Sequence, residues 1–281
     1  MTKIKVTSSE FKDFSKYILD ISGIALGAGK EYLLETRLGP ILTRLGCGSY
    51  MELLRKAKSD FKKELENEII DAISTNETYF FRDKSPFQLL QHKIFPDLID
   101  KRSSKNTALK PTIRLWSAAN STGQEIYSIA MTLLEMRITS KNYNIKLYGT
   151  DISDAAIAQA SYGLYNKFEV ARGLDPGRLN KYFDAHEDRY KIKDELRAMV
   201  QFKKMNLMKP FMGMGKFDII LCRNVMIYFT TQDRRKIYQN ISSVLEPDGY
   251  LLIGSTESLA NDTDLYVSNK HLNSVFYQFK P

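Results

Sequence analysis

The stretch that decides the fold is Ile113-Arg114-Leu115-Trp116-Ser117-Ala118-Ala119-Asn120-Ser121-Thr122-Gly123, with Glu125–Arg137 close behind it. Ile113–Ala118 is a short apolar run and reads as a buried strand. A loop of small residues follows, and then apolar side chains return at helical spacing. Strand, small-residue loop and helix in that order open an α/β unit. In an open sheet of such units a ligand sits beyond the carboxyl ends of the strands. Small residues at 119–123 let backbone approach a ligand closely. A plain strand-to-helix turn would look the same, because the Gly-x-Gly-x-x-Gly pattern is missing.

Downstream the same grammar repeats. Ile145–Thr150 reads as the next strand, ending at Asp151, with a helix from Ser153. Phe217–Cys222 reads as another buried strand and Gln232–Leu245 as another helix. Pro247-Asp248-Gly249 reads as a turn, and Tyr250–Gly254 and Val275–Phe279 as the closing strands. Strands alternating with helices predict an α/β fold with a doubly wound, mostly parallel sheet. Between Tyr162 and Arg197 the alternation breaks. Gly163, Gly173, Pro176 and Gly177 punctuate that segment, and Tyr190-Lys191-Ile192-Lys193 alternates as a strand does. A small antiparallel β insertion is expected there, at about 163–197.

Upstream the periodicity is helical. Phe11, Phe14, Tyr17, Ile18 and Ile21 form one stripe, stopped by Gly23, and Leu33, Leu34, Leu38, Ile41, Leu42 and Leu45 form a second, stopped by Gly46. Leu53, Leu54 and Ala57 suit a third helix, and Leu65, Ile69, Ile70 and Ile73 a fourth. Residues 1–83 are therefore expected to form an N-terminal helical domain and 111–281 the α/β domain. A connecting helix over Phe87–Ile99 and a polar linker over Ser103–Pro111 would fill 84–110.

The chain has 281 residues, 43% of them hydrophobic and 26% charged, which is enough apolar matter for a real core. No apolar run approaches the roughly 20 residues that span a bilayer. Met1–Glu10 lacks the apolar region of a signal peptide. Cys47 and Cys222 are the only cysteines, so neither a disulfide framework nor a metal-ligand spacing is expected. Cytoplasmic residence follows as the expectation. The net charge of +8 is uneven: residues 1–83 hold 13 basic and 13 acidic side chains, whereas 84–114 hold 7 and 2. The basic excess favours an acidic partner. It lacks the basic stripe interleaved with aromatics of a nucleic-acid reader, so no nucleic-acid partner is expected.

Three further segments carry candidate chemistry. Asp151, at the end of the second strand, could accept both ribose hydroxyls of a nucleoside-bearing cofactor; it could equally be an acid at a helix start. With the glycine pattern of a pyrophosphate site missing, S-adenosylmethionine suits loop and aspartate better than NAD. Asn76-Glu77-Thr78-Tyr79-Phe80-Phe81-Arg82-Asp83 joins the helical part to the rest; Asn76, Thr78 and Arg82 would reach over the cofactor, Arg82 pairing with its carboxylate. Cys222-Arg223-Asn224-Val225-Met226-Ile227-Tyr228-Phe229 follows a buried strand and places polar residues where a substrate would lie.

Taken together these segments resemble the CheR-type chemoreceptor glutamate methyltransferases, over nearly the whole chain. The motifs that carry the resemblance are Asn-x-Thr-x-Phe-Phe-Arg at 76–82, Trp-Ser-Ala-Ala at 116–119 with Ser-Thr-Gly-x-Glu at 121–125, and Cys-Arg-Asn-Val-Met-Ile-Tyr-Phe at 222–229. The resemblance implies a Rossmann-like methyltransferase that moves a methyl group from S-adenosylmethionine to glutamate carboxylates of a chemoreceptor, leaving S-adenosylhomocysteine. It implies cofactor contacts from Asn76, Thr78 and Arg82. It gives Glu125 the methionine amino end and Asp151 the ribose. Asn206 and Leu207 would flank the adenine, with Arg223 and Asn224 also at the cofactor. Arg223 and Tyr228 would face the methyl group and the incoming glutamate. The 163–197 insertion corresponds to the family's small β-subdomain, which in some members docks a receptor tail peptide.

The sequence departs from the family at two places. Gly123-Gln124-Glu125-Ile126-Tyr127-Ser128 stands where Gly-Glu-Glu-Pro-Tyr-Ser is usual, with Glu125 kept. The second helix keeps only Arg37 and Arg44 of the arginine face that grips an acidic receptor helix, and Pro40 is expected to disturb that helix. Two other readings therefore stand beside the first: the same fold and cofactor acting on another protein or a small acid, and a non-catalytic module that senses S-adenosylmethionine.

Overall fold

The computed structural model describes residues 4–103, 110–138 and 143–280. Four helices come first: α1 (Ser8–Ser22), α2 (Glu31–Arg44), α3 (Tyr50–Ser59) and α4 (Glu64–Ile73). Thr7 and Glu10 close a capping box at the start of α1, and Gly23, at φ 80°, ends it. The apolar stripes meet in one core around Phe14, Leu34, Leu38, Leu53 and Ile69. Pro40 does not break its helix: α2 runs through it without interruption. Pro40 is exposed, so the carbonyl that loses its N–H partner there is on the solvent side, where water can serve it.

The connecting helix is longer than its apolar residues indicate. It runs as α5 (Ser85–Leu89), one π-type turn over Leu90–Ile94, and α6 (Phe95–Ser103). Of the polar stretch Ser103–Pro111, residues 104–109 lie outside the described residues.

The rest of the chain continues with β1 (Thr112–Ala118), α7 (Gln124–Glu135), β2 (Asn144–Asp151) and α8 (Asp154–Tyr162). The insertion holds β3 (Leu164–Asn166), α9 (Lys167–Ala171), α10 (Pro176–Tyr182), β4 (Phe183–His186), β5 (Arg189–Ile192) and α11 (Asp194–Arg197). Then come β6 (Val200–Lys204), β7 (Phe217–Cys222), α12 (Thr231–Val244), β8 (Leu245–Ile253), β9 (Tyr266–His271) and β10 (Ser274–Phe279). Seven strands form one sheet in the order β6-β2-β1-β7-β8-β10-β9, and the insertion folds its own antiparallel sheet, β3-β5-β4. From β6 to β8 all pairs are parallel, and β10 runs antiparallel to β8 and β9.

Alternation along the central strands builds both faces. Leu115, Ile219, Leu221, Tyr250 and Leu252 go to one core, and Trp116, Ile220, Cys222, Leu251 and Ile253 to the other. Both faces are apolar because helices cover both, so these strands read as unbroken hydrophobic runs. Two strands, β6 and β9, escaped the sequence reading; they are the two edges of the sheet and carry polar residues such as Lys203, Lys204, Ser268 and Asn269. The expected turn at Pro247-Asp248-Gly249 lies inside β8, where the pairing with β7 slips between Phe217 and Ile219.

The chain leaves β1 toward β2 and β6, then returns across the sheet to β7. The strand order therefore reverses between β1 and β7, and a crevice opens at their carboxyl ends. Ala118 pairs in register with both Thr150 and Cys222, so the loops after β1, β2 and β7 start side by side.

Candidate active site

The loops after β1, β2, β6 and β7 enclose a cleft whose outer wall comes from the helical part. Of the residues expected at the site, Asn76, Thr78, Arg82, Glu125, Asp151, Asn206, Leu207, Arg223, Asn224 and Tyr228 all line it. Arg37 lines it as well, but its guanidinium is engaged: it donates to the carbonyls of Ile73 (2.6 Å) and Ser74 (2.9 Å), at the end of α4. Arg44 stands apart from the cleft, ion-paired with Glu68 on the surface.

The loop after β1 turns twice through left-handed backbone, at Ala119 (φ 54°) and Ser121 (φ 55°), before Gly123 (φ 100°) caps α7. Such conformations cost about 1–3 kcal/mol each for residues with a side chain, so the surroundings must hold them. Asp151 does part of this. Its Oδ2 accepts from Ser121 N–H (2.8 Å) and its Oδ1 from Ser153 N–H (3.0 Å). It is thus both the acid at the start of α8 and the brace of the neighbouring loop, with a place in the cleft wall. Burial pushes its carboxyl above the ordinary value, against the pull of the N–H donors.

At the cleft floor the guanidinium of Arg223 is buried between two carboxylates. Nη1 donates to Glu125 Oε2 (2.6 Å) and Nη2 to Asp83 Oδ2 (2.8 Å) and to the Arg82 carbonyl (3.0 Å). Ser117 Oγ donates to the other oxygen of Glu125 at 2.7 Å. The Nε–H of Arg223 is buried and has no hydrogen-bond partner among the described residues. Buried polar groups are rarely left so.

Asp83 was not anticipated as a site residue. It and its neighbours Phe81 and Lys84 all have positive φ (68°, 53° and 41°), a strained turn that brings the carboxylate to Arg223. Phe80 and Phe81 anchor this turn. Phe80 packs edge-on to Tyr165 and Phe183 of the insertion, and Phe81 N–H donates to Ser128 Oγ at 2.9 Å. A Cβ on Gly173 would come within 1.8 Å of the Phe80 carbonyl oxygen, so glycine is required there. Tyr165 Oη donates to the Thr122 carbonyl (2.7 Å) and ties the insertion to the loop after β1.

No residue of the α1–α2 loop was singled out in the sequence as a site residue, yet Ile24, Ala25 and Leu26 line the cleft. Asn206 joins the same wall through its amide: Nδ2 donates to the Ile21 carbonyl (3.0 Å) and Oδ1 accepts from Met208 N–H (2.9 Å). Another unanticipated residue is Glu257, after β8, which accepts from three backbone N–H groups, two of them in the segment that follows β7. A lone carboxylate in Ser255-Thr256-Glu257-Ser258 carries no spacing signal that would have singled it out.

The cleft fits a nucleoside-bearing amino-acid cofactor in its donor set. It holds an aspartate at the end of β2, a glutamate and an unpartnered buried Arg223 N–H at its floor, and a small-residue loop between them. Among the described residues, no helix is long and apolar enough to cross a membrane.

Comparison with known proteins agrees with this geometry. The family model described as "CheR methyltransferase, SAM binding domain" matches residues 76–273, and "CheR methyltransferase, all-alpha domain" matches residues 9–74. The chain is 39% identical to a chemotaxis protein methyltransferase of Vibrio parahaemolyticus over 283 residues, covering 100% of both chains. It is 34% identical to chemotaxis protein methyltransferase 1 of Pseudomonas aeruginosa, covering 99% of this chain and 100% of that one. It is 36% identical to the chemotaxis protein methyltransferase of Borreliella burgdorferi, covering 93% and 92%. The chain belongs to the CheR methyltransferase family: it is an S-adenosylmethionine-dependent methyltransferase of chemotaxis.

Proposed function

We propose that the protein methylates side-chain carboxylates of glutamates in the cytoplasmic helices of chemoreceptors, giving the methyl esters used in sensory adaptation. The observation that supports this most is the make-up of the cleft. Arg223 and Tyr228, from the segment that follows β7, both line it, and no histidine or cysteine is among the described residues that do. A glutamate carboxylate is ionised at pH 7, with an ordinary pKa of about 4.3. It has no proton to lose, so a site that methylates it needs no general base.

When bound, S-adenosylmethionine supplies an electrophilic methyl carbon on a positively charged sulfur. The residues of this chain then have three tasks. Asp151 and Glu125 would hold the ribose and the methionine amino end, and Asn76, Thr78 and Arg82 would contact the cofactor from the linker side. Arg223 cannot serve as a base. With Nη1 and Nη2 held by Glu125 and Asp83, it gives a fixed positive charge beside the approach of an incoming carboxylate. Tyr228 borders the approach. Most of the acceleration comes from holding oxygen, carbon and sulfur in line, which this rigid floor favours.

An extended receptor tail would add to an open edge of the β3-β5-β4 sheet. The thin basic face of α2 favours a second reading, in which the same chemistry serves another protein or a small acid. Arg37 is already bound within the protein and Arg44 is paired, so neither is idle.

Incubation with methyl-labelled cofactor and membranes containing chemoreceptors tests the two. Base-labile label on a receptor supports the first. Label on a different acceptor, with receptors blank, replaces it with the second.

A further inference from the structure

Glu257 does not line the cleft, yet it organises one of its walls. Its Oε2 accepts from Gly254 N–H (2.7 Å) and Asn224 N–H (2.8 Å), and its Oε1 accepts from Met226 N–H (3.0 Å). Hydrogen bonds to an ionised acceptor are roughly twice as strong as neutral ones. One carboxylate thus draws together the loop that leaves β8 and the segment that leaves β7. The backbone is shaped for it. Asn224 takes a left-handed conformation (φ 57°), and a Cβ on Gly254 would stand 2.7 Å from both Asn224 Nδ2 and Glu257 Oε2. A side chain at 254 would displace the carboxylate or the Asn224 amide.

Immediately after this clamp comes the 3-10 turn Met226–Tyr228. We propose that Glu257 is a positioning residue for methyl transfer: through Asn224 and Met226 it fixes the turn that carries Tyr228 and the backbone next to Arg223. This rests on the proposed roles of Arg223 and Tyr228 in the transfer. The cofactor-side residues Asp151 and Asn76 come from other segments and make no bond to the clamp.

Glu257→Gln tests the proposal with nearly unchanged shape. An amide has one acceptor oxygen, so it can serve the Asn224 and Gly254 donors or the Met226 donor, but not both sides. In the full-length Gln variant, the expected result is S-adenosylhomocysteine affinity within about threefold of wild type and kcat reduced about a hundredfold. That is the loss a misplacement of about 1 Å can cause. The KM for receptor membranes should stay close to wild type. A kcat within about threefold of wild type overturns the proposal, as does a parallel loss of cofactor affinity, which would mark a general structural role.

Backbone amide exchange supplies an arm that needs no acceptor. Exchange should quicken about tenfold in Glu257→Gln on the side that its amide no longer serves, at Met226 or at Asn224 and Gly254, while that at Ser121 and Ser153 holds. Unchanged exchange at all three overturns the clamp. Failure of the wild type itself to label receptors counts against the proposed substrate, and the exchange arm then decides on Glu257 alone.

Discussion

Ala25 N–H donates to the Tyr228 carbonyl at 2.8 Å, joining the loop between α1 and α2 to the turn that borders the cleft floor. The helical part is therefore one wall of the active site rather than a separate appendage. The same junction is packed tightly one step earlier in the chain. A Cβ on Gly23 would meet Met208 Cγ at 2.6 Å and Phe229 Cε1 at 2.7 Å, and its φ of 80° is a left-handed one. Gly23→Ala should accordingly destabilise the protein by about 1–3 kcal/mol, the usual range for overpacking and strained backbone. It should also weaken S-adenosylhomocysteine binding, because Ile24 and Ala25 shift with it. Urea unfolding and calorimetric titration read the two effects. Normal affinity in a destabilised variant would show that the cleft tolerates movement of this wall.

The Arg223 cluster makes a second prediction. Removing its guanidinium leaves the partly buried carboxylates of Glu125 and Asp83 without their buried cation. Breaking a buried pair in this way costs about 3–5 kcal/mol. Arg223→Ala should therefore lose stability as well as turnover, with cofactor binding weakened but present. Asp83→Asn is milder, since the amide oxygen can still accept from Nη2. Thermal unfolding beside single-turnover methylation separates the two variants. Near-normal turnover in Arg223→Ala would remove Arg223 from the chemistry.

Asp151 predicts a pH dependence. Burial raises its carboxyl above the ordinary 3.8, so the folded protein holds that proton more tightly than the unfolded chain does. Above the raised pKa the ionised form costs stability, and this cost fades as the pH falls through it. Cofactor binding runs the other way, because only the ionised carboxylate accepts both ribose hydroxyls. Affinity for S-adenosylhomocysteine should decline as the pH is lowered toward the raised pKa, by at most about tenfold per unit below it. In Asp151→Asn the affinity should be lower at neutral pH and free of that decline. Calorimetry across a pH series reads both, and a flat wild-type profile would reject the ribose role.

Much of this arrangement was legible because it rests on local pattern. Buried strands read as apolar runs, helix stops as glycines, and the loop 119–123 as small residues after a strand. What was not legible depends on partners far along the chain. Asp83 and Arg223 are 140 positions apart, and Glu257 meets Asn224 across 33. A carboxylate that serves distant N–H groups looks, in sequence, like any solvated acid. The edges β6 and β9 were missed for a related reason: an edge strand need bury only part of its surface, so Val200-Gln201-Phe202-Lys203-Lys204 lacks the apolar run of a central strand. Pro40 misled because its effect depends on which side of α2 it occupies, and it occupies the exposed one.

The two arginines of α2 should separate cleanly. Arg37 closes the carbonyl end of α4 and touches Thr75 Oγ1 at 3.1 Å, one residue before Asn76. Arg37→Ala leaves those carbonyls without a charged donor, a loss of about 1.5–3 kcal/mol for bonds to a charged group. It should also loosen the start of the linker, so cofactor affinity falls with stability. Arg44 is more than half exposed and paired with an exposed Glu68, an arrangement worth about 0.2–1 kcal/mol. Arg44→Ala should cost at most about 1 kcal/mol of stability, leave cofactor affinity unchanged and otherwise act through the acceptor. If α2 meets an acidic receptor helix, KM for receptor membranes rises in Arg44→Ala and the rise shrinks with added salt, which screens exposed charges. A KM equal to wild type at low salt would take α2 out of receptor recognition and strengthen the reading with another acceptor.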